Sequence, residues 1–222
     1  MSRPKRKVEK SFKVFCEGDT EYNYFEYVRK TKKASLAIKP VNMKGGGYAN
    51  FLNRLKEDAN SNCLAKFIII DGDRAEKIPG EREVLWQIIN YCKLQNDSKR
   101  IPHILVIDFP DFEYVACLHT FSYKGQNVEQ YLKNELGYSN IDEFKADKDV
   151  FKVLVESGKG SISQLINVTE GCTSIVNNKF IFNKSKYEIQ VDTTVNKEKL
   201  GIRSTNFSEF YEVLQSLDVM NC

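Results

Sequence analysis

No apolar stretch of this sequence approaches the roughly 20 residues that a transmembrane helix needs. The first residues, Met1 to Lys7, are basic but lack the apolar segment of a secretory signal. The sequence also has no internal repeat and no low-complexity linker. We therefore expect a cytoplasmic protein that makes no membrane contact.

Paired cysteine motifs are also missing. The six cysteines are scattered without a C-x-x-C pair, a spacing that fits neither a zinc site nor a compact disulfide framework. In a cytoplasmic protein such thiols are expected to stay reduced. Cys16 and Cys117 lie inside apolar runs, so we expect them to pack in the core.

A strong overall charge is absent, since the formal net charge is only +3. Basic residues do concentrate near the N-terminus, where the first thirteen residues carry six Lys or Arg, and again between Arg29 and Lys33. Such clusters are typical of solvated tails and helix ends, but they can also meet phosphate. The run Gly45-Gly46-Gly47 lacks the spacing of a Walker or Rossmann loop and predicts a turn.

The most informative feature is a pair of short apolar runs that end in acidic residues. Residues 13–16 lead into Glu17, and residues 67–70 lead into Asp71 and Asp73. Apolar runs of this length predict buried parallel strands, and their carboxyl ends form the edge where open α/β sheets build sites. Since buried carboxylates repel one another unless a cation neutralises them, this edge predicts a divalent-metal site.

Strand and helix patterns alternate along the first half of the chain. We expect strands at 11–16, 36–43, 65–70 and 101–107, and helices at 20–33, 48–60 and 81–94. This alternation predicts a parallel sheet flanked by helices over residues 1–113. Residues 114–222 predict a mainly helical extension packed on that core, with a long helix at 141–157 and a hairpin around Asn183-Lys184.

The Asp71-Gly72-Asp73 motif admits several interpretations. Two carboxylates two residues apart can reach one cation, with Gly72 letting the backbone turn. Glycosyltransferases use the same pattern for a nucleotide-sugar's metal, and a structural turn is a further alternative. Haloacid-dehalogenase phosphatases need Thr or Val after the second Asp, whereas Arg74-Ala75 follows here.

Glu17 could complete a metal site or act as a general acid or base. Asp19 and Glu21 could belong to the same site, or they could only favour the start of the helix that follows, with Thr20 or Asp19 as its cap. Both alternatives stay open for Glu21.

These residues in this order resemble a known family. A strand-terminal Glu followed by a D-x-D strand resembles the TOPRIM domain of topoisomerases, primases and related nucleases. More closely, the chain resembles the RloB/AbiLii family of bacterial phage-defence and abortive-infection proteins. The resemblance spans nearly the whole chain, although Phe109 and Val115 depart from the residues often found there. The matching segments are Glu17-Gly18 with Thr20-Glu21, Asp71 with Asp73, Pro110 to Glu113 with His119, and Ser204 to Asn206.

The resemblance implies a metal-dependent nuclease that cleaves phosphodiesters. Asp71 and Asp73 would hold Mg²⁺ or Mn²⁺, and Glu17 would complete the metal shell or take a proton from water. Glu113 would bind a second metal or orient the nucleophile. We expect the nucleic acid to be RNA, tRNA in particular, rather than DNA, and its backbone to meet Lys5, Arg6, Lys7, Lys44 and Arg74. The family also implies a genetically linked ATPase partner. The sequence leaves open whether the protein forms a homo-oligomer.

Other functions remain open on the sequence. The chain could be a catalytically silent TOPRIM-like module that regulates its partner, a DNA nuclease, or a D-x-D transferase in which Glu17 has no role. His119 could donate a proton to a leaving oxygen or contact phosphate, and it could equally be structural. His103, at the start of a predicted buried strand, is expected to be structural.

Overall fold

A four-stranded parallel sheet organises the molecule. The computed structural model describes residues 11–31, 37–58, 62–98, 100–186 and 188–219. The strands are β1 (Ser11–Cys16), β2 (Ala37–Asn42), β3 (Ala65–Asp71) and β4 (His103–Asp108), in the spatial order β2-β1-β3-β4. This arrangement confirms the predicted α/β class with a parallel sheet flanked by helices.

The strand register brings the acidic strand ends together. Within the sheet Cys16 pairs with Ile69, and Asp71 pairs with Asp108 on the neighbouring strand. Residues that follow β1, β3 and β4 therefore share one edge of the sheet. The connecting helices are α1 (Asp19–Thr31), α2 (Gly47–Glu57), the short α3 (Arg74–Lys77) and α4 (Glu81–Asp97).

The sheet is covered by a hydrophobic cluster on each face. Alternate residues of β3 point to opposite sides, so that Phe67 and Ile69 join one cluster while Ile68 and Ile70 join the other. Helices α2 and α4 cover the second face. Helix α1 covers the first face together with apolar residues that lie beyond residue 113. The two parts of the chain thus share one core.

Besides short π-helical and 3-10 segments at Leu132–Leu136, Lys152–Glu156 and Lys197–Lys199, the C-terminal part contains five α-helices and one hairpin in the residues that the structure describes. They are α5 (Phe112–Leu118), α6 (Val128–Tyr131), α7 (Ile141–Ala146), α8 (Ile162–Thr169), the hairpin strands β5 (Val176–Asn183) and β6 (Glu188–Val195), and α9 (Ser208–Ser216). The predicted hairpin is confirmed. Its strands pair antiparallel around a turn that includes Lys184.

The prediction of one helix over residues 141–157 was wrong. Helix α7 ends at Ala146, and a separate π-helical segment covers Lys152–Glu156. The side chain of Asp147 explains the break, because its Oδ1 accepts a hydrogen bond from the Asp149 backbone N–H at 2.8 Å. A local side-chain bond of this kind competes with helix continuation.

A segment just before α9 ties the C-terminal part to the sheet. Phe109 and Ser204 exchange two backbone hydrogen bonds of 2.8 and 3.0 Å. The Asn206 side chain accepts from the Ile107 N–H at 3.0 Å and donates to the Leu105 carbonyl at 2.9 Å. The outer edge of β4 is therefore covered by residues from the far end of the chain.

A buried polar network supports the same contact. The Glu209 carboxylate accepts from the Asn178 backbone N–H at 3.0 Å, from the Asn178 amide at 2.6 Å and from the Asn206 amide at 2.8 Å. Asn178 also accepts from the Thr193 hydroxyl at 2.7 Å. Each buried oxygen of Glu209 is thus hydrogen-bonded, which marks the network as structural. Across the described ranges, none of the helices has the length and apolar character required to traverse a lipid bilayer.

Candidate functional site

Glu17 and Asp71 meet at the carboxyl edge of the sheet. Strands β1 and β3 are direct neighbours, and the Asp71 backbone N–H donates to Glu17 Oε2 at 3.1 Å. Only 9% of Glu17 is exposed. The two residues that the sequence placed at separate strand ends are therefore in contact.

Asp71 also links β3 to the start of α5. Its Oδ1 accepts from the Phe112 backbone N–H at 2.9 Å. The next residue, Gly72, has a role other than the expected turn, because a Cβ there would lie 2.7 Å from Cδ2 of Phe109. Glycine is required by this close approach of the ring, and no left-handed backbone is involved.

Asp73 has a different environment. It directly precedes α3, and its Oδ2 accepts from the Lys77 ammonium at 2.8 Å. Its side chain remains 22% exposed. The structure therefore brings Glu17 and Asp71 together, while Asp73 forms an ion pair with a lysine one helical turn ahead.

Three further carboxylates lie buried behind this edge. Glu21 in α1 is 2% exposed, Asp108 at the end of β4 is fully buried, and Glu113 in α5 is 2% exposed. Each has one carboxylate oxygen without a hydrogen-bond partner: Oε1 of Glu21, Oδ2 of Asp108 and Oε2 of Glu113. Unsatisfied buried carboxylate oxygens are unfavourable, so this inner acidic cluster indicates a place for a cation.

The other oxygen of two of these groups is held by a threonine. Thr20 Oγ1 donates to Glu113 Oε1 at 3.3 Å, and Thr205 Oγ1 donates to Asp108 Oδ1 at 2.5 Å. The hydroxyls fix the orientation of the carboxylates. The second oxygen of Asp108 has no hydrogen-bond partner, and the second oxygen of Glu113 faces only the Lys145 ammonium, at 3.5 Å.

Burial and mutual repulsion raise the pKa values of the whole group. Burial, followed by the charges of Glu113, Glu17 and Asp108, raises the pKa of Glu21 to about 8. Burial raises the pKa of Glu17 and of Asp108 to about 7. Burial is also the largest cause of the raised pKa values of Asp71 and Glu113. Each carboxylate charge makes its neighbours harder to ionise, and a bound cation would favour the ionised forms.

The donor set fits a hard divalent cation in its chemistry. Carboxylate oxygens are the ligands that Mg²⁺ and Mn²⁺ prefer, and several here have a free lone pair. Within the described ranges, however, no three His, Cys, Asp or Glu side chains are grouped closely enough to hold an ion together. Suitable oxygen atoms are thus present, but the side chains that carry them are not arranged around one common point.

The expected substrate-binding residues differ in their placement. Arg74 donates to Glu81 Oε1 at 3.0 Å, its guanidinium lies 6.0 Å from the Tyr48 ring centre, and its charge interacts with that of Glu17. Lys44 is exposed and has a φ of 59°. Lys5, Arg6 and Lys7 lie outside the described residues.

The glycine run forms a fixed turn beside this site. Gly45, Gly46 and Gly47 all have positive φ values, between 61° and 87°, which side-chain-bearing residues rarely adopt. The Tyr48 N–H in the first turn of α2 donates to Glu81 Oε2 at 2.9 Å. The Glu81 carboxylate therefore already occupies the place beside the Tyr48 N–H where a phosphate oxygen would bind.

His119 lies in the aromatic core and is fully buried. Its Nδ1 is 3.0 Å from the Val115 carbonyl oxygen, and its Nε2 is 2.9 Å from the Tyr24 hydroxyl. Burial lowers the pKa of His119 to about 4. These contacts separate it from the carboxylate edge and match the structural alternative. His103 is likewise buried, with Nδ1 2.7 Å from the Ile101 carbonyl.

Sequence reasoning left four residues out of the site. Glu21 was left open between a site role and a helix-start role, and Asp111 was named only within the matching segment Pro110 to Glu113. Asp108 was not considered, although it follows an apolar run just as Glu17 and Asp71 do. Asp111 caps α5 by accepting from the Tyr114 N–H at 3.1 Å. Lys145, which contacts Glu113, lies more than thirty residues away and left no signal in the local pattern.

Comparisons of the chain with protein-family models, with curated proteins and with solved structures found no match.

Proposed function

We propose that the protein is a divalent-metal-dependent, TOPRIM-like nuclease that hydrolyses phosphodiesters. The observation that carries the proposal is the inner acidic cluster with its unpartnered buried oxygens, which adjoins Glu17 and Asp71 at the carboxyl edge of the sheet. The ordered motifs that resemble the RloB/AbiLii family support the same function.

Each carboxylate has a distinct role in this proposal. Asp71, Glu21 and Glu113 would hold Mg²⁺ or Mn²⁺, with Asp73 available once it leaves Lys77. The bound cation would supply Lewis-acid stabilisation of charge on the phosphate. Glu17, with its pKa of about 7, is suited to take a proton from an attacking water near neutral pH. Thr20 keeps the Glu113 carboxylate oriented.

The proposed substrate is RNA, with tRNA favoured over DNA, and the proposed setting is bacterial phage defence. The support is the resemblance to abortive-infection effectors, for which tRNA cleavage would stop translation. Arg74 and Lys44 would contact the backbone, together with the N-terminal Lys5, Arg6 and Lys7. The same resemblance supports a partner ATPase, which co-purification from the native host would test.

The test combines metal binding with cleavage. We expect Mg²⁺ or Mn²⁺ to raise the melting temperature of the wild type, and Asp71→Asn to lose both this rise and all cleavage of tRNA and plasmid DNA. Asp97→Asn, which changes an exposed carboxylate at the end of α4, is the matched control and should behave as the wild type. Equal metal stabilisation in Asp71→Asn would contradict the proposed site.

A catalytically silent binding module is the second candidate. It is favoured by the ion pair of Asp73 with Lys77 and by the absence, among the described residues, of a preassembled three-ligand group. A silent module would show no cleavage at any metal concentration, while still binding its partner. Cleavage of tRNA by the wild type and not by Asp71→Asn would exclude it.

A further inference from the structure

Lys145 brings a positive charge from outside the sheet to the inner acidic cluster. Its ammonium lies 3.5 Å from Glu113 Oε2, an oxygen that has no hydrogen-bond partner. The Glu113 side chain is 2% exposed, whereas that of Lys145 is 46% exposed. The lysine therefore extends from the surface to a carboxylate that solvent barely reaches.

The position of Lys145 is set by helix α7. Its neighbour Phe144 is fully buried and packs edge-to-face against Tyr138, with ring centres 5.1 Å apart. Helix α7 also contacts α1, the helix that carries Glu21. Lys145 thus lies on a helix that is anchored in the core, and this helix is far in sequence from the motifs around Glu17 and Asp71.

The charge that Lys145 meets is shared by several carboxylates. Attraction to Glu113, Asp71 and Asp111 raises the pKa of Lys145, against the opposing effect of partial burial. Burial raises the pKa of Glu113 and of Asp111, and the charge of Lys145 opposes this rise. Lys145 therefore acts on the same oxygens that would bind a divalent ion, and two cations cannot occupy one carboxylate environment without repulsion.

We propose that Lys145 is a built-in counter-cation of the acidic cluster, which a divalent metal must displace from Glu113 in order to bind. This inference rests on the proposed metal site, and it adds that Lys145 competes with the metal for Glu113. Lys145 is then a positioning residue, whose ammonium pairs with Glu113 Oε2 in the metal-free protein. Because its side chain is partly exposed, it can move into solvent when the metal arrives.

The experiment measures Mn²⁺ affinity by calorimetry, with the full chain stripped of metal. We expect Lys145→Met to bind Mn²⁺ roughly fivefold or more tightly than the wild type, because the competitor is removed. Lys145→Arg retains the charge and should stay near the wild-type affinity. Lys148→Met, which removes an exposed lysine from the same region, is the matched control. Lys145→Gln is a second neutral variant.

Thermal melts give an independent measurement. In EDTA, Lys145→Met should melt below Lys148→Met, since Glu113 has lost its counter-cation. Saturating Mn²⁺ should shrink that gap, because the metal replaces the ammonium. A gap that Mn²⁺ leaves unchanged would contradict displacement.

The outcomes separate this inference from the proposed function. Mn²⁺ binding with equal affinity in the wild type and Lys145→Met, or weaker binding in the variant, would overturn the role of Lys145 and leave the metal site intact. Absence of Mn²⁺ binding in the wild type and in every variant would overturn both.

Discussion

Replacing Glu21 by glutamine should stabilise the metal-free protein at alkaline pH. Glu21 is 2% exposed, and its Oε1 has no hydrogen-bond partner. Its charge is opposed first by burial and then by Glu113, Glu17 and Asp108. Glutamine has the same shape without the charge, and its amide can donate to a neighbouring carboxylate. The substitution therefore removes a repulsion and keeps the packing.

The size of the effect follows from the pKa. The pKa of Glu21 rises from 4.5 in an ordinary environment to about 8 in the folded protein. A shift of one pKa unit corresponds to about 1.4 kcal/mol, so the full penalty at pH 8 would be about 4 kcal/mol. Because the neighbouring carboxylates share part of this penalty, we expect a gain of about 3 kcal/mol at pH 8 and below 1 kcal/mol at pH 5.

The assay is thermal unfolding in EDTA at both pH values. For a chain of this length, about 3 kcal/mol corresponds to a rise in melting temperature of about 6–12 °C at pH 8. Glu26→Gln is the control on the same helix, since Arg29 lowers the pKa of Glu26 and its removal should cost stability slightly. If Glu21→Gln gave the same change at pH 5 and pH 8, or destabilised the protein at both, our account of the acidic cluster would be wrong.

Two other predictions concern the wild-type protein and its buried network. In EDTA the melting temperature should fall by about 10 °C between pH 5 and pH 8, because carboxyls with raised pKa values are neutral at low pH and must ionise inside the fold as pH rises. Mg²⁺ should reduce this fall, and a melting temperature that rises with pH in EDTA would refute the explanation. Glu209→Ala should lower the free energy of unfolding by about 2–4 kcal/mol in denaturant titrations, because the amides of Asn178 and Asn206 lose their acceptor. The exposed Glu198→Ala should change it by less than about 0.5 kcal/mol, and equal losses in the two variants would contradict a structural role for the network.

The sheet was predictable because its central strand β3 and its neighbour β4 are buried on both faces. Continuous apolar runs such as Phe67 to Ile70 identify such strands without help from the rest of the chain. Helix ends were less predictable, since they depend on single side chains. The side chain of Asp147 interrupts the predicted helix over 141–157, a contact that no periodicity reveals.

The acidic site was predictable only in part. The neighbouring positions of β1 and β3 could not be derived from strand order along the chain, yet the strand-end rule correctly predicted that Glu17 and Asp71 share an edge of the sheet. The other members of the acidic site could not be predicted, because they are distinguished by their burial in the folded protein. Glu21 resembles an ordinary acidic residue in a first helical turn, and only the folded structure shows that it is 2% exposed.

The C-terminal part of the chain creates the electrostatics of the site, although the recognisable motifs lie mainly in the first half. Thr205 holds Asp108, Lys145 meets Glu113, and the aromatic core around Phe207 and Tyr211 excludes water from the inner face of α1. Without this cover the carboxylates would be hydrated, and their pKa values would return toward ordinary ones. The boundary between residues 113 and 114 therefore separates the strand–helix pattern from the mainly helical one, but residues from both sides of it form the site. Since burial raises these pKa values, the electrostatics of the site depend on both parts of the chain.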